Sequence, residues 1–115
     1  MYAEIMERYS MSTYTTVRQA IISKQQITAF YDGYYREMCP HAIGLKNGRE
    51  QALFFQFGGE TSRGVIQDPR GAGNWRCLEL SKLSQVVAQD GPWYTASNHS
   101  KASTCVDQID VEVAD

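Results

Sequence analysis

Hydrophobic and polar positions along the chain follow first a helical period and then, repeatedly, a period of two. Val17, Ala20, Ile21 and Lys24 recur at helical spacing, and Thr16 with Gln19 fits a capping box, so the pattern predicts a helix over Val17–Lys24. Ile27–Tyr31 is rich in β-formers and runs into Asp32-Gly33, a strong hairpin signal, after which Tyr34–Met38 resumes as the partner strand. Pro40 cannot donate to a central ladder, which predicts a bulge or bend before His41–Leu45 carries on extended. Asn47-Gly48 marks a second tight turn. Glu50–Phe57 alternates Leu53, Phe55 and Phe57 with Ala52, Phe54 and Gln56; apolar residues on both faces put this strand near the centre of a sheet.

The glycine-rich stretch 58–73 reads as a loop. Beyond it, Trp75–Leu80 is a fourth strand, with Trp75, Cys77 and Glu79 on one face and Arg76, Leu78 and Leu80 on the other. A turn at Ser81–Leu83, a strand over Gln85–Gln89, an irregular stretch 93–105 and a last strand over Val106–Val113 complete the pattern. The expected architecture is mainly β with one N-terminal helix, a small antiparallel barrel or strongly curled sheet of five to six strands. Residues 1–11 read as an N-terminal extension and 12–115 as one domain.

Composition changes this picture little. With 43% hydrophobic and 21% charged residues in 115, the chain is an ordinary globular composition, not a disordered one. The longest apolar run, Ala52–Phe55, falls far short of the roughly 18 residues a membrane span needs. The first ten residues carry acids and no apolar stretch of the kind a secretory signal requires.

Charge distribution adds more. The net charge of −2 argues against a broad non-specific nucleic-acid binder. Residues 12–85 nevertheless hold nine Lys/Arg against six Asp/Glu, whereas 86–115 hold one lysine against five acids. A mildly basic body therefore carries an acidic end, which could fold over a basic pocket in a resting state. Cys39, Cys77 and Cys105 are an odd count with no signal sequence, which predicts reduced thiols and a cytoplasmic location. No C-x-x-C or H-x-x-x-H pair occurs, so neither a metal site nor any other cofactor is expected.

The order of several residues resembles a known family. A helix leads into Ile27–Tyr31; Arg36 is followed at fixed spacing by Pro40-His41; Gly48-Arg49 enters an aromatic strand; and Trp75-Arg76-x-Leu78-x-Leu80 is followed by Lys82-Leu83. Over about residues 14–88 this resembles the WYL-like domain, an Sm/SH3-like β-barrel of bacterial regulators. The Trp-Tyr-Leu tripeptide itself is absent, with Glu50-Gln51-Ala52-Leu53 in its place, and His41 stands where an aromatic is common. Segment 89–115 diverges. The resemblance implies a regulatory module that binds a nucleic-acid or nucleotide-like ligand through a basic patch on the barrel.

Arg36 and Arg76 are the leading ligand-binding candidates, because guanidinium forks match phosphate oxygens. Arg76 shares a face with Leu78 and Leu80, so it must pair with an acid such as Glu37, Glu50 or Glu79, or stand at a rim. His41, Gln56, Lys82 and Tyr35 join them: an imidazole, a mid-strand amide that needs partners, a turn cation and an aromatic for base stacking. Cys39 beside His41 raises the competing idea of a thiol nucleophile, which lacks an orienting acid; no catalytic residue is assigned and no enzymatic activity is expected. The alternative to a ligand-binding module is a structural or oligomerisation module that contacts a protein partner or a second copy through the edge of the last strand.

Overall fold

The computed structural model describes residues 12–96 and 102–114, so the expected extension over 1–11 lies outside the described residues. The elements are α1 (Thr13–Ser23), β1 (Gln26–Tyr31), β2 (Tyr34–Lys46), β3 (Arg49–Thr61), β4 (Gly64–Val65), β5 (Trp75–Glu79), a 3-10 turn (Leu80–Lys82), β6 (Ser84–Gln89), the short α2 (Ala102–Cys105) and β7 (Gln108–Glu112).

Helix α1 starts a turn earlier than the capping box at Thr16 predicts. Ser12 is the N-cap, and its hydroxyl accepts from the Thr15 backbone N–H. Two hydroxyl-bearing caps compete in this Thr-rich stretch, and the earlier one gains another turn of helix while leaving Val17, Ala20 and Ile21 buried. Lys24 ends the helix in the left-handed conformation, its N–H bonded back to Ala20 and Ile21.

Both predicted hairpin turns form. Asp32 and Gly33 at φ 55° and 80°, and Asn47 and Gly48 at 53° and 78°, are two-residue turns with both central residues at positive φ. They fold β1, β2 and β3 into an antiparallel meander. The register shifts once at Pro40, where Pro40 pairs with Phe54 and Ala42 with Leu53, leaving His41 as the extra residue of a bulge. It shifts again where Glu37 faces Gly58 and Met38 faces Gln56, leaving Phe57 extra on β3.

The main path of the sheet runs β4-β3-β2-β1-β6, with β5 pairing β3 and β7 pairing β2. The thirteen-residue β2 is thus shared on one side by β1 and β7, and β3 by β5 and β4. Among the described residues no ladder joins β5 to β6; the 3-10 turn links them, and the sheet is open with seven strands instead of closed with five or six. The stretch 58–73 is only partly a loop. β3 continues through Gly58, Gly59 and Glu60 to Thr61, and Ser62-Arg63 turn it back into β4. Gly59 permits this: it sits at φ 79°, and a Cβ there would run into the Tyr35 carbonyl oxygen.

Alternation along the strands builds two apolar layers. On one face Ile27, Ala29, Met38, Ile43, Ala52, Phe54 and Leu78 pack beneath Val17, Ala20 and Ile21 of α1. On the other, Ala42 and Leu53 pack against Cys105, Val106 and Trp75. The C-terminal segment covers this second face, and Cys77 on β5 is joined to Cys105 by a disulfide, with Cα atoms 5.6 Å apart. The expectation of three reduced thiols is therefore corrected: only Cys39 is free, and the thiol count no longer supports a cytoplasmic setting. Sequence spacing hid the pair because the two cysteines meet only through the tertiary fold. No helix among the described residues is long and apolar enough to cross a membrane.

Candidate functional site

Arg36 and Arg76 come from strands that do not neighbour each other, yet they share one face of the sheet. Arg36 lies opposite Ala29 on β1 and Gly59 on β3; Arg76 lies opposite Phe54. Both stand where the α1-side core runs out, and with Arg63 from the β3–β4 turn they line one cleft of about 380 Å³, together with Thr61, Ser62 and Gly73. No carboxylate lines it. Among the described residues none of the three arginines is in an ion pair, so Arg76 takes the rim alternative and not Glu37, Glu50 or Glu79.

Each strand arginine is held from behind. Arg36 donates from Nε to the Tyr31 carbonyl at 3.3 Å and from Nη1 to Gln56 Oε1 at 3.1 Å. Its guanidinium carbon lies 5.2 Å from the Tyr31 ring centre and 5.9 Å from that of Tyr34. Gln56, fully buried, turns its amide nitrogen to the carbonyls of Gly58 and Glu60, so it fixes Arg36 and the glycine bend together. Arg76 uses Nη1 on the Gly73 and Trp75 carbonyls at 2.8 and 3.0 Å. A guanidinium has five N–H donors, and these contacts use two on each arginine. No buried side-chain nitrogen or oxygen lacks a partner among the described residues, so the remaining donors open on the cleft.

Electrostatics agree with the geometry. Burial pulls the Arg36 pKa down, and Asp32, followed by Tyr31 and Tyr34, pushes it back up. For Arg76 burial again leads, and the neighbouring charges of Arg36 and Arg63 lower it further. Three cations are thus close enough to repel, in a pocket whose own atoms do not neutralise them. An oxyanion would relieve that repulsion and engage the spare donors.

The other candidates fall elsewhere. Gln56 supports Arg36 and does not line the cleft. Tyr35 projects from the opposite face of β2 and rests on Phe30, ring centres 5.4 Å apart; Tyr31 and Tyr34 are the aromatics beside Arg36. Lys82 is exposed on the 3-10 turn and does not line the cleft. His41, the bulge residue, is on the second face, with Trp75 and Trp93 at 4.8 and 5.0 Å between ring centres. Its Nδ1 meets the Cys39 carbonyl at 2.9 Å and its Nε2 the Thr95 hydroxyl at 3.0 Å. A carbonyl only accepts, so Nδ1 carries the proton.

Cys39 contacts His41 through its backbone, not its sulfur. The thiol is buried, receives the Tyr94 N–H at 3.3 Å, and desolvation raises its pKa to about 11. That is the reverse of the lowered pKa a thiolate nucleophile needs. The acidic end does not reach over the cleft with the acids described there. Asp107 pairs with Lys46, and Asp110 with Arg18 and Tyr14.

Sequence reasoning missed Arg63, because nothing in its surroundings distinguishes a turn arginine from a solvated one. No family model matches the chain, and no curated protein or solved structure does either.

Proposed function

We propose that this protein is a ligand-binding regulatory module whose ligand is a nucleic acid or a nucleotide-like phosphate compound, held in the Arg36–Arg63–Arg76 cleft. The observation that carries the reading is the convergence of three guanidiniums on one cleft without a carboxylate in its lining. Arg36 and Arg76 supply pre-oriented forks, and Arg63 supplies a third cation from an exposed turn. The WYL-like resemblance supports the same reading through the same two strand arginines. The order of one helix, a meander and a 3-10 turn between β5 and β6 supports an Sm/SH3-like barrel as the finer description of the sheet.

Fluorescence polarisation with a short labelled mixed-sequence single strand, across a salt series, tests the proposal. Affinity is expected to fall steadily with salt, as phosphate contacts release counterions. Arg76→Ala is expected to weaken binding by about tenfold or more, since it removes charge-assisted bonds. Arg36→Ala should do the same, with circular dichroism confirming that both variants are folded. Folded wild type that binds neither strand nor mononucleotide at low salt would sink the proposal.

An oligomerisation module is the second reading. It draws on β7, which pairs only with β2 among the described residues and leaves Ile109 42% exposed. A concentration-dependent mass in analytical ultracentrifugation that Ile109→Lys abolishes would favour it.

A further inference from the structure

The lining of the arginine cleft is as informative for what it lacks as for what it holds. Beside the three arginines it offers two hydroxyl side chains, Thr61 and Ser62, and the backbone of Gly73; no aromatic ring lines it. Tyr31 and Tyr34 lie against Arg36, outside the lining, and Tyr35 faces away on Phe30. The cleft therefore offers no platform for a base, and single-strand readers depend on such platforms. What it offers is charge and donors from three separate elements: β2, the β3–β4 turn and β5.

A phosphodiester inside a strand carries one negative charge and leaves two oxygens free of ester bonds. A phosphate monoester leaves three, and carries a charge of about −1.5 to −2 near neutral pH. Three guanidinium forks converging from three directions match the second group better than the first. Resting on the ligand-binding reading above, we infer that the Arg36–Arg63–Arg76 cleft selects the terminal phosphate monoester of its ligand, the dianionic end of a nucleotide or of a strand, over internal diesters. Arg63 is the selecting residue. Arg36 and Arg76 are each tied to the scaffold by two side-chain hydrogen bonds, whereas Arg63 sits on an exposed turn held through the Thr61 hydroxyl, which accepts from the Arg63 backbone N–H at 3.0 Å and donates to the Gly64 carbonyl at 3.4 Å. It supplies the third cation that only the third oxygen and second charge require.

The test compares 5′-phosphorylated and 5′-hydroxyl copies of one 3′-labelled strand, with a nucleoside 5′-monophosphate and inorganic phosphate as competitors. The phosphorylated copy is expected to bind about tenfold or more tightly near neutral pH. That preference should shrink below about pH 6, where the monoester takes up its proton while the diesters and arginines do not titrate. Arg63→Ala should abolish the preference, weakening the phosphorylated copy about tenfold or more beyond its effect on the hydroxyl copy. Competition by the mononucleotide at the strand's own affinity identifies a free nucleotide as sufficient; weaker competition shows that a strand end adds contacts; both support the inference. Equal affinity for the two copies, with binding still lost in Arg76→Ala, overturns the inference and leaves the broader reading standing. A preference that survives Arg63→Ala also overturns it. Absence of binding by every probe removes both.

Discussion

Arg36 and His41 lie five residues apart on the same strand, and each is 5% exposed. Burial alone would give them the same role. They differ in what happens to their polar atoms. His41 has one ring nitrogen on the Cys39 carbonyl and the other on the Thr95 hydroxyl, with indoles on two sides. Arg36 has two donors satisfied by Tyr31 and Gln56, and the rest open on a cleft shared with two further cations. The first is an interior polar group whose partners come from the protein. The second is one whose partners are left for something else. A buried polar side chain is thus classified by how many of its donors the fold satisfies, and not by how deeply it lies.

The same contrast separates the two faces of the sheet, and it can be broken experimentally. The largest effect is expected on the covered face. Replacing Cys77 and Cys105 by serine opens a loop of 28 residues' separation, which in the chain-entropy view costs about 3–4 kcal/mol. Urea unfolding should show that loss, while the refolded variant keeps its anion affinity. Coupled loss of both would mean that the faces are not independent.

A smaller effect is expected from His41→Phe, which keeps a ring between the indoles but strands the Cys39 carbonyl and Thr95 hydroxyl. The cost should be about 1–3 kcal/mol, read from the denaturation midpoint, with strand binding unchanged. If binding collapsed while the fold held, His41 would belong to the functional site after all.

The smallest effect concerns Asp110, which fastens β7 to α1. Hydrogen bonds from Tyr14 and then Arg18 hold its carboxyl below the usual range, and the same contact, after burial, raises the Tyr14 hydroxyl to about 12. A depressed folded-state pKa contributes stability above the unfolded value, and that contribution is lost as pH falls through the folded one. Asp110→Asn should therefore flatten the stability profile only below about pH 4, the ordinary carboxylate value. An unchanged acid limb would show that the contact adds nothing, as many exposed pairs do not.

Local chemistry made much of this fold legible. Asp32-Gly33 and Asn47-Gly48 dictate their turns because few other residues tolerate positive φ there. Pro40 dictates a bulge because it has no N–H to give, and it is the bulge that carries His41 to the second face. Arg76 stands on the face predicted from its alternation with Leu78, which is why half of the cleft was visible in the sequence. What escaped was long-range or degenerate. Ser12 and Thr16 are both competent caps, and tertiary packing chose between them. Gly58-Gly59 reads as loop but is strand, and glycine is needed at 59 because that residue approaches the Tyr35 carbonyl at positive φ. The Cys77–Cys105 bond depends on where the C-terminal segment docks, and the arrival of Arg63 beside Arg76 on a turn whose position no local pattern encodes.

The two tight turns have a consequence for how the chain reaches this structure. Strands β1 to β3 pair through loops of two residues, as the Tyr31↔Tyr34 and Lys46↔Arg49 registers show. β6, by contrast, must return across the chain to lay Gln89 against Gln26. Loop-closure entropy favours the near partners first. The meander is thus the part of the sheet whose pairing costs least loop-closure entropy, and Arg36 and Gln56 face one another on it. Arg76 comes with β5, across the longer 58–73 stretch, so the two strand arginines of the cleft are brought in by closures of different entropic cost.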